Sequence, residues 1–473
     1  ARQPIEEDRD SGRRRVGEHL MTGGAPAADD SVSAVIDQAP LGRLHLRIFL
    51  MCAAIMTLDG FDLGLLGFVV PAISADWGLP PSSFGFALSA SLIGVAFGSA
   101  IAGWMGDRFG RRTALLWMFV IGAVGSLLTA FATDLTTLSA FRFITGFGMG
   151  GTIPNVVSLV NEFSPKRRRP FLVVLVYSMA AIGSVFASLL AAPLIGRFGW
   201  ESMFVVGGAL PLLIGAVAFF LLPESVRFLI ASGRDRARSA ELLQRLSGRS
   251  AEDELLRRAL TLQQGAAAAA VPSTQLFAGW LQWVTPMLWV VFIGTQALVF
   301  FNSSWLPTLL KQGGFSIEVA IYATGLFHFG SVFGGLITSW LASRVPLSRL
   351  LALLYLFATI SLLLLGSGVR SDLAACTLAF FVGFTVVGAS FCLGAFTSTC
   401  YPDALRARGV GWGLGIGRIG SIASPLLGGA AIAAGMSVDS IISTLALPAV
   451  VCCVVMVLVS RLHAAGTARR AAP

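Results

Sequence analysis

LDGFDLGLLGFVVPAI, Leu58 to Ile73, is the stretch on which the reading of this chain turns. It lies in an otherwise uncharged apolar run from Ile48 to Ala75. A run that long and that apolar reads as a membrane-spanning helix. Yet it carries two carboxylates, Asp59 and Asp62. An ionisable group near the centre of a bilayer costs at least about 2.5 kcal/mol on insertion scales, so it marks a functional cavity. Positions i and i+3 share a helix face, so both acids can point into one space. The bland alternative is that one Asp only caps an irregular turn. Gly60, Gly64 and Gly67 surround the acids, and Pro71 is expected to end or kink the helix.

Working outward, composition sets the class. The chain has 473 residues, 55% hydrophobic and 12% charged, with a mean hydropathy of +0.78. That describes an all-α polytopic membrane protein and excludes a soluble domain with an oily core. The net charge of +9 lies mostly in short loops. It therefore reports orientation, with no nucleic acid as partner. Cys52, Cys376, Cys392, Cys400, Cys452 and Cys453 fall in or at the ends of apolar spans without zinc spacing. They read as packing residues, so neither a disulfide framework nor a metal site is expected.

Residues 1–44 are polar and carry Arg13-Arg14-Arg15, with no apolar signal-peptide core, and read as a disordered cytoplasmic tail. Twelve apolar spans follow, near 47–73, 83–105, 113–131, 136–161, 170–195, 201–222, 286–310, 317–341, 348–366, 373–400, 408–433 and 440–461. The loops after spans 2, 4, 8 and 10 hold eleven Lys and Arg, against three in the odd-numbered loops. That bias puts both termini in the cytoplasm. The spans form two bundles, residues 45–222 and 286–462, with a cytoplasmic loop at 223–285 and a cytoplasmic tail at 463–473. Within the loop, RARSAELLQRLSG and AEDELLRRALTLQ have amphipathic helical spacing, and Gln264 to Pro272 is an Ala-rich linker.

The two bundles echo one another. Span 2 ends Trp104-Met105-Gly106-Asp107-Arg108, and span 8 ends Trp340-Leu341-Ala342-Ser343-Arg344. Span 4 ends EFSPKRRR, and span 10 ends CYPDALRAR. Paired six-span repeats of this kind are typical of secondary transporters that rock about a midplane site.

GWMGDRFGRR, Gly103 to Arg112, resembles the signature loop of the major facilitator superfamily, and it sits between spans 2 and 3 as it does there. Arg142-Phe-Ile-Thr-Gly146-Phe-Gly148 resembles that superfamily's span-4 motif. DGFD in span 1, PESVR after span 6 and YPDALRARGVGWGLGIGRIGSIASPLLGG across span 11 are similar to the aromatic acid:proton symporters. The resemblance covers roughly residues 45–462. It implies twelve helices in two pseudo-symmetric halves of six, no cofactor, and a monomeric working unit in the bacterial cytoplasmic (inner) membrane. It implies a gating motif at Gly103, Asp107, Arg108, Gly110, Arg111 and Arg112. The second-half copy departs from the pattern, with Ser343 where the loop's acid would stand.

The loop also has a reading of its own. Gly103 and Gly106 are expected to let helices pack closely. Asp107, at a helix end, can pair with loop arginines or with a neighbouring helix N-terminus. Positive-inside anchoring accounts for Arg111 and Arg112 but leaves Asp107 unexplained.

Depth then selects a site. Over a core of about 30 Å at 1.5 Å per residue, Asp59 lies about 16 Å and Asp62 about 21 Å from the cytoplasmic side. Arg142 comes out about 22 Å from that side, level with Asp62. Arg418 lies about 14 Å in, with no acid at that depth in its own half, and His328 is similar. Asp59, Asp62 and Arg142 are the expected proton-coupling residues. Arg418 is left to bind an imported carboxylate. Backbone carbonyls, or Asp59 across the cavity, are the alternative partners for Arg418.

His328 can relay protons or bond a substrate hydroxyl, and serves equally well as a packing residue. Gln296, Asn302, Tyr177, Thr385 and Thr397 are polar candidates for the cavity wall, although such residues also join helices. Gly415-Ile-Gly417-Arg-Ile-Gly420 matches a dinucleotide fingerprint, but no strand precedes it, so it reads as a helix-packing face. No nucleophile–base arrangement is present, so no enzyme is expected. The function expected is proton-coupled uptake of a small aromatic carboxylate by alternating access through the lipid bilayer. The alternative is an antiporter that expels drugs or other organic compounds.

Overall fold

A computed structural model describes residues 35–232, 236–247 and 273–471. Among the described residues there are helices and no strands. Twelve helices among the described residues are long and apolar enough to cross a membrane. The first six are α1 (Arg43–Trp77), α2 (Gly85–Phe109), α3 (Arg111–Thr129), α4 (Leu135–Phe163), α5 (Arg169–Phe198) and α6 (Glu201–Leu221). The second six are α7 (Leu281–Gln312), α8 (Ile317–Leu341), α9 (Leu347–Leu365), α10 (Asp372–Cys400), α11 (Asp403–Ala433) and α12 (Ala446–Ala471). Each of the twelve predicted spans falls on one of them.

Helix ends follow local chemistry. Asp134 caps α4 by accepting from the backbone N–H of Thr136 at 2.7 Å and of Thr137 at 2.9 Å. Those amides, Thr137 first, hold its carboxyl below the usual carboxylate range. Ser316 caps α8 through the Val319 N–H at 3.2 Å. Gly78, at φ 63°, closes α1 in the left-handed conformation. Pro71 does not end α1, which runs six residues past it to Trp77. Only its own N–H is lost, and neighbouring helices support the segment.

The packing repeats between the halves. In the first, α2 lies on α4, α1 on α5, and α3 on α4 and α6; in the second, α8 lies on α10, α7 on α11, and α9 on α10 and α12. Gly94 and Gly98 of α2 bring the backbones of Phe143 and Phe147 of α4 into contact. Gly330 and Gly334 of α8 do the same with Phe380 and Phe384 of α10. Glycine permits such close approach because it has no Cβ.

Across the halves α5 meets α8, α2 meets α11, and α1 meets α7. These contacts are unevenly distributed along the helices. With an even number of spans the start of α1 and the end of α12 lie on one side, the terminal face. At the opposite face one apolar cluster runs through both halves, including Phe61, Phe68 and Phe84 with Trp305, Phe327 and Val382. Toward the terminal face the buried apolar core divides into two. One cluster, with Ile48, Phe163 and Leu243, belongs to the first half. The other, with Leu288, Tyr355 and Phe396, belongs to the second. The protein is thus sealed at one face and parted at the other.

Two expectations need correction here. Residues 35–44 are not a disordered tail: Val35 and Ile36 are buried, and Asp37 accepts the Lys166 backbone N–H at 2.7 Å and meets Arg169 at 3.8 Å. The apolar pair Val-Ile there is too short to stand out in a polar stretch. In the central loop a helix spans Arg236–Ser247, as its spacing predicts, whereas the stretches at 251–263 and 264–272 lie outside the described residues.

Candidate functional site

Asp62 and Arg142 meet inside the first half. Arg142 Nη1 is 3.1 Å from Asp62 Oδ2, and Nη2 is 3.4 Å from Oδ1. Arg142 also donates from Nε to Thr129 Oγ1 at 3.2 Å and from Nη2 to Thr145 Oγ1 at 2.8 Å. Its guanidinium lies 4.8 Å from the centre of the Phe204 ring. Asp62 accepts the Ser126 hydroxyl at 2.6 Å. A buried arginine this deep is tolerable only when its donors are met, and α1, α3, α4 and α6 each supply part of that shell. The polar supports Ser126, Thr129 and Thr145 escape a reading of the chain because single hydroxyls in apolar spans are common.

Asp59 is equally buried, at 6% exposure against 5% for Asp62. Among the described residues, however, its carboxylate accepts no hydrogen bond and forms no ion pair. Both acids line one small cavity of about 20 Å³, together with Phe119, Thr145, Met149, Thr152 and Pro211. That is room for about one water molecule. The i, i+3 spacing therefore does place the acids on one space. The space lies within the first half, among α1, α3, α4 and α6.

The other candidates stand between the halves or in the second half. Arg418 of α11 is partly exposed, and its guanidinium makes no hydrogen bond or ion pair among the described residues. Neither backbone carbonyls nor Asp59 engage it. Tyr177 of α5, in the other half, lies within electrostatic range of both Arg418 and Asp59. Tyr177 is 42% exposed and packs edge-on against Phe391 of α10 at 5.8 Å. Gln296 of α7 lies against Gly417, the residue before Arg418, its Cγ 3.1 Å from where a Cβ there would sit. Gly420 lies against the backbone of Ile293, so Gly417 and Gly420 form a packing face toward α7, whereas a Cβ on Gly415 would meet nothing within 4 Å.

His328 is buried near the sealed face, 3.4 Å from Ser303 Oγ and edge-on to Phe68 of α1. Gly64 leaves the room beside it. Asn302 is buried and donates to the Leu298 carbonyl of its own helix at 2.8 Å. Thr385 and Thr397 likewise bond carbonyls one turn back. Those bonds serve the helices themselves.

At the terminal face the loop motif is a web within the first half. Asp107 pairs with Arg111 at 2.7 Å, and Arg111 lies 3.9 Å from Glu162. Arg108 stacks on Trp104 and Phe109. Arg112 lies 5.0 Å over the Phe219 ring and donates to the Phe219 carbonyl. Glu224 caps α3, accepting from the backbone N–H of Arg112 at 2.9 Å and of Thr113 at 3.3 Å. A carboxylate belongs there, at the positive end of a helix. Gly110, at φ 100°, turns the chain between α2 and α3, and the Glu224 carboxylate fills the space a side chain would need. Glu162 accepts the Ser225 hydroxyl.

One expectation about this loop fails. Gly106 does face a crowded interface with Arg111 and Asn155, but a Cβ on Gly103 would meet nothing. Gly103 turns outward, because residues three apart lie about 60° apart round a helix and only one of them faces the neighbour squarely. Glu162 and Glu224 were not singled out from the chain. Arg111, Ser225 and the start of α3 lie more than fifty residues from the acids they meet, and only the EFSPKRRR end of span 4 and the PESVR opening of the central loop signal Glu162 and Glu224.

The Major Facilitator Superfamily profile matches residues 52–425. The chain is 35% identical over 415 residues to a gallate transporter of Pseudomonas putida, covering 88% of this chain and 91% of that protein. It is 33% identical over 418 residues to the 4-hydroxybenzoate transporter PcaK of Pseudomonas aeruginosa, covering 88% and 93%. Among solved structures, the inward open conformation of the xylose transporter XylE from E. coli superposes with a TM-score of 0.69 at 17% identity, over 87% of this chain and 95% of that one. Twelve helices in two like-packed sixes, a matching profile over most of the length and full-length relatives lead to one conclusion: the chain belongs to the Major Facilitator Superfamily.

Proposed function

We propose that this protein is a secondary transporter that carries a small aromatic carboxylate together with protons across the bacterial cytoplasmic membrane. The observation that carries the reading is Arg418, a guanidinium between the two halves with no acid to neutralise it among the described residues. An imported carboxylate would supply the missing charge, bidentately and in a medium of low dielectric. Relatives named for gallate, 4-hydroxybenzoate and benzoate support the aromatic part. Tyr177, Phe391 and Gln296 would frame the ring, with His328 and Asn302 farther toward the sealed face.

Asp59 and Asp62 would handle the proton, with Arg142 holding Asp62 in place. Positive-inside bias assigns the terminal face to the cytoplasm. The arrangement described here would then be open inward, with residues 45–222 and 286–462 as the two rocking bundles of a monomer. The loop from Gly103 to Arg112 would be the gate, through Asp107, Arg108, Gly110, Arg111 and Arg112.

The test is uptake of radiolabelled gallate, 4-hydroxybenzoate and benzoate into proteoliposomes with and without an inward proton gradient. Accumulation of at least one acid that collapses with a protonophore supports the reading. Transport of organic cations with none of the acids would overturn it.

A further inference from the structure

The two halves keep one register. Gly94 and Gly330, like Gly98 and Gly334, make matching backbone contacts and stand 236 residues apart. Gly183 abuts the Thr57 carbonyl and the Phe61 nitrogen, and Gly420 abuts the Ile293 carbonyl and the Ala297 nitrogen. Those contacts lay α1 on α7 with the same offset, so Asp59 answers to Thr295. Helices α3 and α9 also begin and end 236 residues apart, so Phe119 answers to Tyr355.

At this matched place the halves differ. In the second, the Tyr355 hydroxyl and Thr295 Oγ1 lie 2.6 Å apart, both buried. Thr295 gives its own hydrogen to the Val291 carbonyl at 2.6 Å, so Tyr355 is the donor of the pair. A tyrosine here therefore reaches the residue that matches Asp59 and donates to it. In the first half Phe119 and Asp59 instead line the cavity of about 20 Å³. The hydroxyls on its wall are turned away: Thr145 donates to the Phe141 carbonyl at 2.9 Å and Thr152 to the Gly148 carbonyl at 3.0 Å. The buried Asp59 carboxylate is left without a donor among the described residues. A buried carboxylate in that state is costly, and one hydroxyl on the Phe119 ring would relieve it.

We propose that Phe119 is a positioning residue for proton coupling: by offering no hydrogen bond where the second half has Tyr355, it leaves Asp59 free to take up and release a proton. The proposal rests on the proton-coupled reading above. A proton that binds one Asp59 oxygen neutralises the carboxylate, and its departure restores the charge. A hydroxyl donated to that oxygen would form a charge-assisted bond, stronger than any it makes to the neutral acid, and would hold the site ionised. The apolar ring brings no such bias. In the second half the same place is a neutral joint between α7 and α9, so the titratable copy belongs to the first half alone. The charged or titratable groups near Asp59 are Asp62 of α1, Arg142 of α4 and Tyr177 of α5. The cavity walls from α3 and α6 bring none, and α7 carries only Lys311, near its far end.

The experiment uses the full chain in proteoliposomes with radiolabelled 4-hydroxybenzoate, or gallate if that is the acid taken up. Gradient-driven accumulation is measured across a range of external pH, with counterflow at one pH in parallel. Phe119→Tyr supplies the donor. Loading Asp59 then needs more protons, so the half-maximum of accumulation should move about one pH unit toward acid while counterflow persists. Met149→Gln brings an amide donor to the same cavity from α4 and should move the profile the same way, so the test survives if one variant fails to fold. Phe119→Leu alters the packing without a donor and should keep the wild-type profile, as should Tyr355→Phe in the second half. A wild-type profile in both donor variants, or an equal shift in Phe119→Leu, overturns the proposal. Asp59→Asn separates the two levels. If that variant still concentrates the acid, the coupling reading itself fails. If it uncouples while both donor variants keep the wild-type profile, only the role of Phe119 fails.

Discussion

Asp62 and Arg142 form a buried pair 3.1 Å apart, whereas Asp59, one turn away on the same helix, has no such partner among the described residues. Similar burial thus hides two different energetic situations. Removing one member of a buried pair strands the other, at a cost of about 3–5 kcal/mol. Asp62→Asn should therefore lower the melting temperature of the detergent-purified protein markedly. Asp59→Asn should leave it unchanged or raise it, because a like charge near Asp62 is lost. Both should abolish pH-driven accumulation. Equal melting temperatures for the two variants would show that the pair carries no net stability.

Arg418 predicts the opposite combination, normal stability and lost binding. Arg418→Ala should keep its melting temperature and lose uptake. Arg418→Lys should retain weak uptake, short by roughly 1.5–3 kcal/mol, because one charge-assisted hydrogen bond is missing. The amide analogue of a transported acid should not bind the wild type, since it leaves the guanidinium unpaired. Isothermal titration of acid and amide side by side decides this. Equal affinities would remove Arg418 from the binding site.

The two glycines of the loop motif should part company. Gly110→Ala forces a side chain into a glycine-only conformation and against Glu224. The strain should cost about 1–3 kcal/mol and reduce the yield of folded protein. Gly103→Ala fills open space. Its effect should stay within about 0.5 kcal/mol. Thermal unfolding of the two variants checks the contrast.

Asp107→Asn tests the gate without testing the fold. Asp107 is 71% exposed and paired only one turn away. Such pairs are worth at most about 0.5 kcal/mol, so stability should hold. Transport should slow if Asp107 stabilises a second conformation. Wild-type rates at wild-type expression would remove that role.

What could be read from the chain, and what could not, divides along a physical line. The twelve spans were legible because hydrocarbon thickness sets a minimum apolar length. The Asp62–Arg142 pair was legible because the rise per residue is constant, so depth can be counted from the membrane edge. Rotation about the helix axis was not legible. Gly103 was placed on the wrong side for that reason, and nothing in the spacing of Asp59 and Asp62 separates the free acid from the bonded one. Contacts made by loops were also hidden. Glu224 reaches the start of α3 from more than a hundred residues away, and Val35 and Ile36 bury themselves from within a polar tail.

The sealed face is closed by uncharged contacts. Gly67 rests against Ser303, Gly85 against Pro425, and Ser89 donates to the Ile422 carbonyl at 2.8 Å. No ion pair joins the two halves among the described residues. The terminal face, by contrast, is edged with exposed arginines and carboxylates. Ionic strength screens exposed charges within about 10 Å at 0.1 M and leaves fitted backbones untouched. Salt should therefore act on one mouth of the transporter only. It becomes a handle for shifting the balance between the two orientations without touching cargo or proton.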